Sequence, residues 1–229
     1  VIRFDNRDTG LSTTNPPGDV RYDIGDLAGD LIAILDAYGV GAAHLVGMSL
    51  GGYAAQLAAL EHKQRVTTLT LISSEPLGVA YEGEGIAPGF LEHFTKFSDL
   101  DWNDTEAVAD FMLGIAELSA GSAIPFDRDD VLARIHVELE RSINIASAFN
   151  HSQIAGQLPP GLSAAGLDRP VLIVHGSADP VIASTAAKKT NEVVRGSKLL
   201  MLDGRGHEIT ETDSPRIAAT ILELCNSAG

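Results

Sequence analysis

Ala43-His44-Leu45-Val46-Gly47-Met48-Ser49-Leu50-Gly51-Gly52-Tyr53-Ala54-Ala55 decides the reading of this 229-residue chain. An apolar run reads as a buried strand, a serine between glycines follows, and an alanine-rich stretch to roughly Gln64 reads as a helix. Gly47-Met48-Ser49-Leu50-Gly51 fits G-x-S-x-G, the pattern in which a serine stands on a sharp strand-to-helix turn. Such a turn exposes the hydroxyl and crowds its neighbours. Glycines two before and two after the serine leave room for the helix to pack back on the strand. The turn also brings the Leu50 backbone N–H to a helix N-terminus, where it can donate to a developing oxyanion. Ser49 is therefore the candidate nucleophile and Leu50 the oxyanion donor, with Gly47, Met48 and Gly51 framing the elbow.

On both sides of this stretch strand and helix alternate. Val1–Phe4 is a short β-favouring run, followed by the turn-rich Asp5–Gly10 and a loop holding Pro16, Pro17 and Gly18. From Ile24, Leu27, Leu31, Ile34, Leu35 and Tyr38 recur at helical spacing until Gly39 and Gly41 stop them. Further strands are expected at Val66–Ile72, Val171–Val174 and Lys198–Leu202, with helices at about 182–194 and 215–225. The strands are continuous apolar runs, as parallel strands covered on both faces should be, so the fold class is α/β. Between about 75 and 166 the alternation stops. Helical patterns near 90–98, 105–118 and 129–149 replace it, with no clear strand. The expected organisation is a core at 1–74 and 167–229 with a helical cap at 75–166. Eight of the twelve aromatic residues fall in that segment. They are expected to pack the cap, some of them lining an apolar pocket over the core.

A nucleophilic serine needs a base, and the base needs an orienting acid. Of the seven histidines, His44, His62, His93, His136 and His151 read as surface or packing residues. His207 sits in Gly204-Arg205-Gly206-His207, just beyond the last strand. Asp179 sits in Gly176-Ser177-Ala178-Asp179-Pro180, just beyond the strand before it. Ser49, Asp179 and His207 thus all follow the carboxyl ends of parallel strands, where ligands bind in open α/β sheets. His175 lies four residues before Asp179 but ends a strand, and reads as a packing or locally bonded residue. Asp203 is an alternative acid, awkwardly near His207, and Glu208 adjoins the histidine. No CxxC, HExxH or acidic cluster suggests a metal, and no strand-linked G-x-G-x-x-G suggests a dinucleotide; no cofactor is expected.

Composition narrows the partners. Acidic residues number 31 against 16 lysines and arginines, a formal charge of −15. That sign repels phosphate backbones and anionic lipid, and Lys188-Lys189 is the densest basic spot, so neither nucleic acid nor membrane is an expected partner. No apolar run approaches the roughly 18 residues of a membrane helix. Cys225 is the single cysteine, which excludes an intramolecular disulfide; a cytoplasmic location is expected.

The elbow Gly47–Gly52, the acid loop Gly176–Pro180 and the histidine loop Gly204–His207, in the chain order serine, aspartate, histidine, resemble the α/β-hydrolase superfamily. The opening Arg3-Phe4-Asp5-Asn6-Arg7-Asp8-Thr9-Gly10-Leu11-Ser12-Thr13 is similar to the turn after the fourth strand in the subgroup that includes aclacinomycin methylesterase. The resemblance implies a mostly parallel sheet flanked by helices, a cap inserted before the acid-bearing strand, and carboxylic ester hydrolysis. It also implies about three strands ahead of Val1–Phe4, with a second oxyanion donor in the loop after the third. The sequence begins at Val1, so those strands are expected to be missing. The run 1–4 would then pair directly with 43–48 in a five-stranded sheet, or leave an open edge that favours a homo-oligomer. The functional expectation is a serine carboxylesterase for small to medium apolar esters. The alternatives are perhydrolysis, carbon–carbon hydrolysis or acyl transfer by the same triad, and a non-catalytic ligand-binding protein of the same fold.

Overall fold

The structure is a computed structural model that describes residues 1–123, 125–154, 158 and 160–228. Its sheet has four parallel strands in sequence order: β1 (Ala43–Met48), β2 (Val66–Ile72), β3 (Val171–Gly176) and β4 (Lys198–Leu202). Met48 pairs with Ile72, Ile72 with Val174, and Gly176 with Leu202. This register lines up the carboxyl ends of all four strands along one edge. The continuous apolar runs of β2 and β3 are buried on both faces, as their sequence requires. β1 lies at the side of the sheet and alternates, Leu45 and Gly47 inward, Val46 and Met48 outward.

Helices α1 (Ile24–Ala37), α2 (Leu50–Glu61) and α6 (Ser184–Val193) follow one face, and α7 (Ser214–Ser227) follows the other. Asp23 starts α1 through a capping box with Asp26, and Leu27, Ala28 and Leu35 turn its apolar stripe inward. α2 is buried almost throughout, and its small residues Ala54, Ala55, Ala58 and Ala59 let it lie closely between α1 and the sheet. On the opposite face Ile217 and Leu224 of α7 cover Ile72, Leu172, Val174 and Leu202.

Two sequence expectations need correction. Val1–Phe4 forms no strand, so the sheet has four described strands rather than five. The residues that follow are held by side-chain contacts to other parts of the chain. Arg7 makes a two-pronged bond to Asp30 of α1 (2.6 and 2.8 Å), and Arg141 makes another to Asp5 (3.0 and 2.7 Å). Asp8 is fully buried and accepts from Tyr22, Asn150 and Asn15. The helical pattern at 129–149 is also not one helix. α5 (Arg128–Arg141) ends where Ser142 turns extended, Ile143 N–H donates to Gly10 (2.9 Å), and a 3-10 segment runs from Ile145 to Gln153.

Between β2 and β3 the described residues hold α3 (Pro88–Phe94), α4 (Thr105–Ser119), α5 and short 3-10 turns, with no strand. Asp104 and Asp127 cap α4 and α5. Phe94, Phe97, Trp102, Phe111 and Phe149 pack edge to face and tilted, ring centres 5.0–6.4 Å apart, so most aromatics of this segment serve its own packing. No helix among the described residues is long and apolar enough to cross a membrane.

Candidate active site

Ser49 adopts φ 50° and ψ −120°, a conformation that costs a non-glycine residue about 1–3 kcal/mol. Its surroundings over-determine it. Ser49 N–H donates to Ile72 (2.8 Å), and its carbonyl accepts from the Ser74 hydroxyl (2.9 Å) and from Tyr53 N–H (3.1 Å). Ser73, the residue after β2, also has positive φ, so two adjoining strand ends are bent sharply at the same edge. Leu50 opens α2, and its N–H accordingly has no acceptor within the helix.

The glycines do not share the work as the pattern suggested. A Cβ on Gly47 would stand 2.3 Å from the Gly51 carbonyl oxygen and 2.6 Å from Gly52 N, and one on Gly52 would stand 2.7 Å from Ser74 Cβ. A Cβ on Gly51 would meet nothing within 4 Å. Gly47 and Gly52, not Gly51, are the residues that make the strand and helix fit.

The structure brings Asp179 and His207 together. His207 Nδ1 lies 2.8 Å from Asp179 Oδ2, while Asp179 Oδ1 accepts from Val181 N–H (2.8 Å) and Ile182 N–H (2.9 Å). Burial of the Asp179 side chain opposes its ionisation, but the His207 contact and the two amides outweigh it, so the carboxyl sits below its ordinary value. The histidine loop is fixed by close backbone contacts. A Cβ on Gly176 would lie 2.2 Å from the Gly206 carbonyl oxygen, and one on Gly206 would lie 2.0 Å from the Ser119 carbonyl oxygen. His207 N–H donates to Ser119 (2.9 Å) and Ala123 N–H to Gly204 (3.0 Å), so the end of α4 clamps this loop. Ser49 and His207 share the carboxyl edge, and among the described residues the Ser49 hydroxyl makes no hydrogen bond.

The other sequence candidates stand apart. Asp203 accepts from the Ser177 hydroxyl (3.2 Å). His44 lies within β1 and contacts Thr68 (3.0 Å), His93 stacks on Phe111, and His151 contacts the Arg7 carbonyl (2.8 Å). Glu208 faces a cavity of about 310 Å³ between α4 and α5, walled by Phe94, Met112, Ile115, Ile135 and Phe149. Burial there raises the Glu208 carboxyl above its ordinary value. Sequence reasoning missed Ser74, which buttresses Ser49, and the Glu75–Tyr81 pair near Asp179. Burial, and then the bond to Glu75, push the Tyr81 phenol well up. Their signal was available: Ser73-Ser74-Glu75 follows β2 as Ser49 follows β1. Among the described residues no group of three or more His, Cys, Asp or Glu is placed to hold a metal.

Residues 1–214 match the alpha/beta hydrolase fold family. The chain belongs to that family. This alpha/beta hydrolase is 30% identical to rhodomycin D methylesterase of Streptomyces peucetius, over 96% of its own length and 79% of the relative's. It is 29% identical to the rhodomycin D methylesterase of Streptomyces sp. strain C5, with the same coverage. Its fold is similar to that of the enol-lactonase from Burkholderia xenovorans LB400, with a TM-score of 0.72, 21% identity, and coverage of 97% of this chain and 79% of that one. Membership of the family and esterase relatives along nearly the whole chain make this hydrolase an enzyme of the carboxylic ester hydrolase class.

Proposed function

We propose that the chain is a serine carboxylesterase in which Ser49, His207 and Asp179 form the triad. The observation that carries this is the 2.8 Å Asp179–His207 contact at the same sheet edge as the strained Ser49 turn. With Nδ1–H committed to Asp179, His207 offers Nε2 as the base. Ser49 Oγ attacks the ester carbonyl carbon, and its proton passes to Nε2. Leu50 N–H receives the oxyanion. Collapse of the tetrahedral adduct breaks the bond to the alcohol oxygen, which takes the proton from His207 and leaves an acyl-enzyme. Water, deprotonated by His207, then releases the acid and regenerates Ser49.

The substrates in this reading are small to medium apolar carboxylic esters, methyl esters among them, as the relatives' names suggest. The cavity beside Glu208, walled by apolar side chains together with Arg134 and Glu138, suits the non-reacting part of such a molecule. Residues 75–166 act as a cap over a core of 1–74 and 167–229. The exposed Val46 and Met48 along the free side of β1 favour a homo-oligomer, and the single cysteine suits a reducing, cytoplasmic setting. Replacing Ser49 by Ala should abolish turnover of p-nitrophenyl acetate and butyrate, and of aliphatic methyl esters, while the protein stays folded. Undiminished turnover by folded Ser49→Ala refutes the serine mechanism, and a monomer at all concentrations in light scattering refutes the oligomer.

A further inference from the structure

His175 has no part in the mechanism above, yet it is fully buried against the acid. It is the next-to-last residue of β3, paired with Met201, and its side chain is closed to solvent. Nε2 lies 2.9 Å from the Ile182 carbonyl and 3.4 Å from Asp179 Oδ2. A carbonyl can only accept, so the proton sits on Nε2. Nδ1 is buried with no partner among the described residues, so it carries no proton and the ring is neutral. Burial disfavours its charged form, more than the Ile182 contact and the Asp179 charge favour it. Two hydrogen bonds then run in series, His175 Nε2–H to Ile182 O and Ile182 N–H to Asp179 Oδ1, while Asp179 Oδ2 lies 3.4 Å from the same Nε2 without accepting from it. Asp179 Oδ2 is thereby set between two imidazoles, 2.8 Å from His207 and 3.4 Å from His175.

We propose that His175 is a positioning residue for the Asp179–His207 pair, its neutral N–H holding the Ile182 carbonyl and with it the turn whose amides bond the aspartate. This rests on the triad reading. The bracing of that turn fixes which oxygen faces His207. Other charged and titratable groups face the same cluster: Glu208 lies near His207, and Tyr81, bonded to Glu75, lies near Asp179. They stay in place in the variants below.

His175→Leu removes the donor and keeps the bulk apolar, and His175→Gln offers an amide N–H in its place. In p-nitrophenyl butyrate hydrolysis, His175→Leu should lower kcat about tenfold with KM unchanged, the upper end of what one neutral hydrogen bond contributes. His175→Gln, whose amide N–H can reach the same carbonyl, should restore much of kcat. Folded His175→Leu with an unaltered kcat, or no recovery of kcat in folded His175→Gln, overturns the proposal. Should His175→Leu not fold, NMR of the wild-type protein decides: the His175 ring should keep the Nε2–H tautomer from pH 5 to 9. Titration within that range overturns the neutral-donor role. Ser49→Ala in the same assay separates the two claims. Activity retained there sinks the triad, whereas activity lost there with His175→Leu unchanged sinks this inference alone.

Discussion

Replacing Gly47 by Ala tests the account of the elbow most sharply, because the structure separates the two glycines that the five-residue pattern treats alike. The new methyl carbon would sit 2.3 Å from the Gly51 carbonyl oxygen and 2.5 Å from its carbonyl carbon, both backbone atoms at the start of α2. Ordinary contacts of this kind begin near 3.4 Å, so β1 and α2 must part by about 1 Å. Overpacking of this sort costs typically 1–3 kcal/mol in stability. The larger effect falls on rate, since Ser49 is the joint between the two elements. A displacement of about 1 Å at a reacting group costs on the order of 100-fold. Gly51→Ala is the control. Its methyl meets nothing within 4 Å, and alanine in a helix is worth up to about 1 kcal/mol over glycine. Steady-state hydrolysis of p-nitrophenyl butyrate, with thermal unfolding followed by circular dichroism, should show Gly47→Ala crippled and Gly51→Ala active and at least as stable. Wild-type kcat in Gly47→Ala, or equal losses in both variants, would refute the steric argument.

Asp179→Asn should cut kcat by about 10⁴-fold with the fold intact, since an amide cannot hold the His207 tautomer as a carboxylate does; a loss under tenfold would count against the assignment. Asp8→Asn should destabilise the protein by about 3 kcal/mol in urea unfolding, because the buried acceptor of bonds from Tyr22, Asn150 and Asn15 is exchanged for a group with donors of its own. Burial opposes ionisation of Asp8, but those donors outweigh it and hold the carboxyl below its ordinary 3.8, so its stabilisation is present above that pH and fades below it. The gap between wild type and Asp8→Asn should therefore narrow under acid, and a gap independent of pH contradicts this. Glu208 has the opposite sign. Burial raises its carboxyl above the ordinary 4.5, so the native state is favoured while it is protonated and loses that advantage as pH rises. Glu208→Gln should raise Tm at pH 7 and leave it nearly unchanged at pH 4.

The strand ends that carry the proposed triad were more legible in the sequence than the margins of the chain. Ser49, Asp179 and His207 could be read because each follows an uninterrupted apolar strand, and parallel strands all end at one edge. The aligned pairs Met48–Ile72, Ile72–Val174 and Gly176–Leu202 are the geometric form of that rule. Local pattern failed where long-range contacts decide. Val1–Phe4 has strand-forming residues, but Asp5, Arg7 and Asp8 are drawn to partners 23 to 142 positions away. The long helix expected at 129–149 breaks because Ile143 bonds to Gly10. The glycine at position 51 fits the pattern yet relieves nothing, while Gly52, outside the five residues, fits closely against Ser74. His175 reads as an ordinary strand-end histidine until its ring is seen 3.4 Å from Asp179.

Covalent capture of the nucleophile tests the central claim most directly, because a fluorophosphonate reacts only where serine, base and an open pocket come together. The intact protein treated with such a probe should gain one adduct, located by peptide mass spectrometry on Ser49 and lost in His207→Ala. No adduct on the folded protein, or one on another serine, would contradict the account.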